Sequence, residues 1–520
     1  MARLNMFAVV RHFRRMLTVV RTFARYDTLF LLEKIGIPKA AAPLIRLALL
    51  AWPVKEARRK SAGGRLALAL THLGPAFVKL GQALSVRPDL IGDELADNLA
   101  SLQDRLPAFD GADARKALEA ELESPIDELF AQFDDKAIAA ASIAQVHRAT
   151  TPEGAEVAVK VLRPGIEAAF ARDLDLALWA AERIERTRPE LRRLRPVEAV
   201  QTIIRSVEIE LDLRFEAAAA DELRENFAEE PNFQVPDVDW TRTGRRVMTT
   251  GWINAAPIND ITPNTVDAEK LEMIVATFAK VFFLQVYRDG FFHADLHPGN
   301  IFVDDDGRVF AVDFGIMGRL DKRTRQYLAE MLHGFLTADY KRVADVHIRA
   351  GYVPAHQSAD EFAQAARSIA EPILGLPLGQ ISLARLLAQL FAITEKFEMQ
   401  AQPQLLLLQK TMLVAEGVGR RLCPDVNMWE LARPLIENWM IENMGPEGKI
   451  RETTETILEG LERLPALLAD MEMTVSAAAR DGVRVNPASL QTLSGAGSGG
   501  GWKIWVAAAA VAVVVIALVD

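Results

Sequence analysis

Two carboxylates and one amide stand where they could handle phosphate. Asp295 and Asn300 lie five positions apart in His293-Ala-Asp-Leu-His-Pro-Gly-Asn300, and Asp313-Phe-Gly315 follows shortly after. Between them run two short apolar segments, Ile301-Phe-Val303 and Val309-Phe-Ala-Val312, around an Asp304-Asp-Asp-Gly307 turn. That pattern predicts a β-hairpin, and a hairpin returns Asp313 to the side of Asn300. A carboxylate and an amide oxygen side by side suit Mg²⁺, a hard cation that shares its oxygen ligands with phosphates. Asp295 is then placed to orient or deprotonate a nucleophile. An alternative takes His293, Asp295 and His297 as transition-metal ligands, since imidazole and carboxylate suit zinc or iron. It accounts for neither Asn300 nor the Asp-Phe-Gly.

Upstream elements have to deliver a cation and a cover for the phosphates. Residues 137–147 alternate apolar with small, a turn follows at Thr151-Pro-Glu-Gly154, and Val157-Ala-Val-Lys-Val-Leu162 reads as the second strand of a hairpin carrying Lys160. In kinase-like folds such a strand lysine holds the α- and β-phosphates, and the first strand and its loop cover the nucleotide. The covering segment here is Ile138, Ala139, Ala140, Ala141, Ser142, Ile143, Ala144, Gln145 and Val146. It has alanine where glycine is usual, which allows close approach but restricts φ. Residues 166–188 and 197–227 read as helices, and the second carries Glu208, Glu210, Asp212 and Glu216. Asp212 and Glu216 share a helix face, while Glu210 and Glu216 point about 120° apart. Lys160 can therefore pair with one of these acids and leave another for a second partner. Lys79 and Gln82, in Leu73-Gly-Pro-Ala-Phe-Val-Lys-Leu-Gly-Gln82, edge a helix expected over about 66–84.

Further along, 245–253 reads as a strand connecting two lobes and 268–288 as a long apolar helix leading into the central stretch. After Gly315 the chain turns to helix from about Lys322, with no Ala-Pro-Glu and no long activation segment to seat a protein substrate. Residues 325–490 read as mostly helical, with a break around Pro372–Pro377, and Pro403-Gln-Leu-Leu-Leu-Leu-Gln409 is expected in the core. A Gly/Ser linker, 494–501, leads to Trp502–Val519, apolar apart from Lys503. That is near the short limit for a membrane span, with tryptophans suited to an interface and Lys503 favouring a cytoplasmic start.

A chain of 520 residues, half hydrophobic and a quarter charged, is long enough for two or more domains. A single cysteine, Cys423, excludes an internal disulfide framework and cysteine-cluster metal sites, and fits a reducing compartment. The net charge of −10 conceals a basic head: residues 1–60 hold 13 Lys/Arg against 3 Asp/Glu. Residues 4–32 read as an amphipathic helix with Arg11, Arg14, Arg21 and Arg25 on one stripe. It could lie in an anionic membrane interface or be the solvated face of a packed helix.

Taken in order, these motifs resemble the UbiB protein-kinase-like family of ubiquinone biosynthesis, over about residues 70–320. The resemblance rests on Lys79-Leu-Gly-Gln82 with Ser85-Val-Arg-Pro-Asp89, the Ala139–Ser142 loop, Lys160, Glu210-Leu-Asp212 with Glu216, His293–Asn300 and Asp313–Gly315. It implies an α+β, atypical protein-kinase-like two-lobed fold with an N-terminal helical extension and a C-terminal transmembrane helix. The segments would be a basic head (1–65), a Lys-x-Gly-Gln extension (66–125), an N-lobe (126–255), a helical C-lobe (256–490), a linker (491–501) and an anchor (502–519). The resemblance places Lys79 and Gln82 in the pocket toward Glu210 and Asp212, pairs Lys160 with Glu216 (or with Glu210), makes Asp295 the proton acceptor and puts Asn300 and Asp313 on Mg²⁺. The implied cofactors are ATP and Mg²⁺. The implied partners are a polyprenyl-quinone precursor lipid, the membrane and other ubiquinone-biosynthesis enzymes, with no nucleic acid. The implied location is the bacterial inner membrane with the catalytic domain cytoplasmic. Two departures stand out: Thr249-Thr-Gly-Trp252 replaces the usual Thr-Met-Glu-Trp hinge, and Ala294 stands where ordinary kinases have arginine.

Overall fold

The structure is a computed structural model. It describes residues 6–29, 61–85, 107–188, 195–263, 265–372, 402–426 and 428–444, with scattered residues between these blocks. The chain divides into two compact units, residues 1–436 and 437–520; of the second, only residues up to 444 are described.

Eleven strands are described: β1 (Gln132–Phe133), β2 (Ala139–Ala140), β3 (Ala144–Thr150), β4 (Glu156–Leu162), β5 (Phe233–Gln234), β6 (Val247–Gly251), β7 (Ala256–Pro257), β8 (Phe291–His293), β9 (Ile301–Val303), β10 (Val309–Ala311) and β11 (Met317–Arg319). The first sheet runs β1-β3-β4-β6, with β2 also on β3, and its pairs are antiparallel. Alternation along β4 decides where the lysine goes. Val157, Val159 and Val161 pack against Ala114, Leu118, Ile126 and Leu129 of the helices Gly111–Leu122 and Ile126–Leu129. Because successive side chains change face, Lys160 emerges on the opposite side, toward the rest of the molecule.

The predicted hairpin forms at Ile301–Val303 and Val309–Ala311, in the register Val309 to Val303 and Ala311 to Ile301. It belongs to a second sheet, β5-β10-β9-β7, in which β5 is parallel to β10. A third pair joins β8 to β11, the strand that follows the Asp-Phe-Gly, and ties Met317 to His293; the sequence shows only a direct passage to helix here. The helix at Lys322–Leu336 starts where expected.

Three expectations are corrected. The helix over 66–84 is two, Ala62–Leu73 and Pro75–Ser85. Gly74 separates them at φ 111°, a conformation that favours glycine, and Pro75 opens the second helix, where a missing N–H costs nothing. The helix over 197–227 is also two, Pro196–Glu210 and Leu213–Asn226, because Asp212 takes extended backbone and caps the second by accepting from Arg214 N. Glu210 and Asp212 therefore lie outside the helix that carries Glu216. The apolar run 403–409 is not fully buried: Gln404 and Leu406 are exposed, and the helix Pro403–Leu422 buries Thr411, Ala415, Val418 and Leu422 instead.

The basic head forms a helix, Met6–Arg25. Arg15 grips Asp173 through two 2.7 Å bonds, and Arg11 and His12 reach Asp175, both acids lying on the helix Ile166–Thr187. One side of the head is thus a packed helix, while Arg14, Arg21, Phe13 and Leu17 remain exposed. Among the described residues no helix is long and apolar enough to cross a membrane. The linker and the apolar segment 502–519 lie outside the described residues.

Candidate active site

Lys160 Nζ donates to Glu216 Oε1 at 2.6 Å and to Asp313 Oδ1 at 3.0 Å. Strand β4, the helix Leu213–Asn226 and the turn after β10 thus meet at one ammonium group. Burial alone would lower the Lys160 pKa, but the carboxylates of Asp313 and Glu216 more than offset it and hold the group protonated. The Lys160 cation keeps the half-exposed Asp313 ionised well below the usual carboxylate range, against its partial desolvation. Burial pushes the Glu216 carboxyl up, and the nearby Asp313 adds to that, with Lys160 opposing both. Asp313 takes φ 64°, a left-handed conformation uncommon outside glycine but accessible to aspartate.

His293 connects the two halves of the site. Its Nδ1 accepts from Asp295 N at 3.2 Å, so its Nε2 carries the proton and donates to Val312 O, also at 3.2 Å. The ring thereby joins the Asp295 loop to the residue preceding Asp313. Burial lowers its pKa, with the Val312 carbonyl opposing, as suits this neutral form. Asn300 Nδ2 donates to Asp295 O at 3.2 Å, which leaves the amide oxygen as the group's metal-compatible atom. His297 Nδ1 accepts from Gly299 N. Both imidazoles therefore serve the loop's own geometry. Among the described residues no cluster of three or more His, Cys, Asp or Glu side chains is placed to hold a metal, so the transition-metal alternative has no geometric support. The bond from Val312 N to Asn300 O brings the Asn300 and Asp313 ends of the hairpin side by side, and a carboxylate with an amide oxygen is donor chemistry that fits Mg²⁺ shared with phosphates.

The extension reaches the same region. Lys79 Nζ lies 2.9 Å from Glu210 Oε2, with side chains only 15% and 12% exposed. Asp212 is instead taken by Arg214, at 2.6 Å, which with its capping bond explains why its pKa is lowered. Lys160 takes Glu216 and not Glu210. Gln82 is partly buried on the helix Pro75–Ser85.

In the covering segment, Ala139 and Ala140 pair with Val146 and Gln145, and Ala141 N closes a tight turn on Ala144 O around Ser142 and Ile143. Arg163 clasps the Ala141 carbonyl at 2.8 Å. Gln145 lies on the sheet face opposite Lys160, its side chain held by the backbone N–H and carbonyl of Phe109 and by His147. Ala144 is buried, Val146 is half-buried and Ile138 is exposed. At the hinge, Thr249 is buried with its hydroxyl donating to Arg242 O. Ala294 is fully buried, so an arginine has no room there.

Sequence reasoning missed Lys410 and Thr411. Lys410 Nζ donates to Asp295 Oδ1 at 2.6 Å, and Thr411 Oγ1 donates to His293 O at 3.0 Å. The helix Pro403–Leu422 thus seats directly on the Asp295 loop. A Gln409-Lys410-Thr411 after an apolar run offers no local signal for this.

The ABC1 atypical kinase-like domain matches residues 101–347, and the UbiB helical domain matches residues 366–427. A protein named probable protein kinase UbiB from Marinobacter nauticus is 42% identical over 460 residues, 87% of this chain and 83% of its own. One of the same name from Pseudomonas entomophila is 42% identical over 88% of this chain and 85% of its own. Among solved structures, the complex of Rv3197 with erythromycin from Mycobacterium tuberculosis is similar at 26% identity and a TM-score of 0.52, covering 68% of this chain and 90% of that one. With its kinase-like fold of mixed helix and sheet and the relatives it matches over most of its length, the chain belongs to the UbiB family of ABC1 atypical kinase-like proteins.

Proposed function

We propose that the protein is a membrane-associated atypical kinase or ATPase that binds Mg–ATP and supports ubiquinone biosynthesis. It would act on polyprenyl-quinone precursor lipids or on the enzymes that modify them, from the cytoplasmic face of the bacterial inner membrane. The observation that carries the reading is the convergence of Lys160, Glu216 and Asp313 beside the Asp295–Asn300 loop. Lys160 would hold the inner phosphates, Asn300 and Asp313 would hold Mg²⁺, and the Ala139–Ser142 turn would cover the nucleotide. Bound Mg²⁺ would neutralise charge on the transferred phosphoryl group. Asp295 would take the proton of the attacking hydroxyl, whether that of water or of an acceptor. The exposed Arg14, Arg21, Phe13 and Leu17 of the head helix support a role at an anionic lipid surface.

Phosphate release from Mg–ATP by the purified protein tests this, on anionic liposomes with and without a polyprenyl phenol and with Asp295→Asn as control. Release that rises with lipid and disappears in the variant supports a lipid-coupled ATPase. A second reading, a nucleotide-gated lipid-binding scaffold, is favoured by the way the site's charges already satisfy one another: Lys160 on two acids, Lys410 on Asp295. Nucleotide-dependent liposome binding without release, preserved in Asp295→Asn, would decide for the scaffold.

A further inference from the structure

We propose that Lys410 is a further phosphate-binding residue of this site, exchanging its bond with Asp295 for the terminal phosphate of Mg–ATP. The inference rests on the Mg–ATP reading above and adds to it a residue from the helical region that follows the kinase-like core.

Phosphoryl transfer concentrates negative charge on the terminal phosphate and needs cations aimed at it. The Asp295 loop supplies none of its own. His297, two residues past Asp295, is held by Gly299 N, and position 294 is a buried alanine. Lys160 is shared between Glu216 and Asp313, and Lys79 is on Glu210. Among the described residues, Lys410 is the cation that touches Asp295.

Its placement is built by the fold. Its neighbour Thr411 is buried and donates its hydroxyl to His293 O at 3.0 Å, which seats the helix on the loop. On that fixed helix, Lys410 projects a flexible four-carbon arm whose side chain is 54% exposed. A lysine–carboxylate pair this open to water contributes little to stability, too little for a structural lock. It is cheap to break when a phosphate arrives, and breaking it frees Asp295 to receive a proton.

The test uses the full-length protein and two probes, Mg–AMPPNP, which carries a γ-phosphoryl group, and Mg–ADP, which ends at the β-phosphate. Calorimetric titration of Lys410→Met is expected to show AMPPNP affinity weakened by about tenfold or more with ADP affinity nearly unchanged, and Lys410→Arg is expected to recover most of the loss. Lys160→Met, by contrast, weakens both nucleotides. The inference is overturned if Lys410→Met leaves the AMPPNP-to-ADP ratio unaltered, whether both affinities persist or both fall. Should Lys410→Met unfold, the ratio is read from Lys410→Gln with the same two outcomes. Wild-type protein that binds neither probe overturns the Mg–ATP reading itself, whereas wild-type binding with an unaltered ratio in the variants overturns only the role of Lys410.

Discussion

The ammonium group of Lys160 lies 2.6 Å from Glu216, within a site where Glu216 is almost wholly buried. Such a pair is costly to break by halves, because the remaining charge loses its partner in a poorly solvated place. Lys160→Met is therefore expected to lower stability by about 1–3 kcal/mol and to weaken nucleotide binding. Glu216→Gln, which keeps a side-chain oxygen for Lys160, should cost less. Denaturant melts with Mg–ATP titration check both; equal stability for Lys160→Met and wild type would show that the pair contributes nothing.

The helical extension is pinned by Lys79 to Glu210, a largely buried contact between the helices Pro75–Ser85 and Pro196–Glu210. A double-mutant cycle with Lys79→Met and Glu210→Gln should give a coupling energy of about 0.5–3 kcal/mol. Strictly additive effects would mean that the extension is held by its apolar contacts alone.

How much of this was legible beforehand depended on distance along the chain. The hairpin between Asn300 and Asp313 could be read because alternation and an Asp-Gly turn are local signals. The pairing of Lys160 with an acid of the following segment is one of two choices in the sequence, and the structure decides it: Glu216 takes Lys160 and Glu210 takes Lys79. The breaks at Gly74 and Asp212 leave no mark in the pattern, because helical periodicity resumes at once on either side. Lys410 could not have been found: its partner lies 115 residues away, and the apolar run before it drew attention to burial instead of to the loop it faces.

Acid should destabilise the fold through its buried imidazoles. His147, His293 and His347 all have lowered pKa values because burial disfavours the charged ring, each opposed by a backbone carbonyl. The unfolded chain takes up these protons near pH 6.5 while the folded chain resists them. Stability is complete above that pH and declines below it, by up to about 1.4 kcal/mol per pH unit for each ring. His347→Gln should flatten the fall in Tm between pH 7.5 and 5.5 relative to wild type. An unchanged slope would show that this ring binds its proton equally in both states.

The most direct test of the site is phosphate release from Mg–ATP by wild type and by Asp313→Asn. Asparagine tolerates the left-handed backbone of position 313 as aspartate does, so the exchange removes the charge offered to Mg²⁺ and to Lys160 while keeping the turn. Release by the wild type that falls about a hundredfold or more in the variant, a loss of at least about 2.7 kcal/mol in transition-state stabilisation, is the predicted result. Equal release by both proteins would contradict the assignment of Asp313, and with it the account of this site as a Mg–ATP phosphotransfer centre.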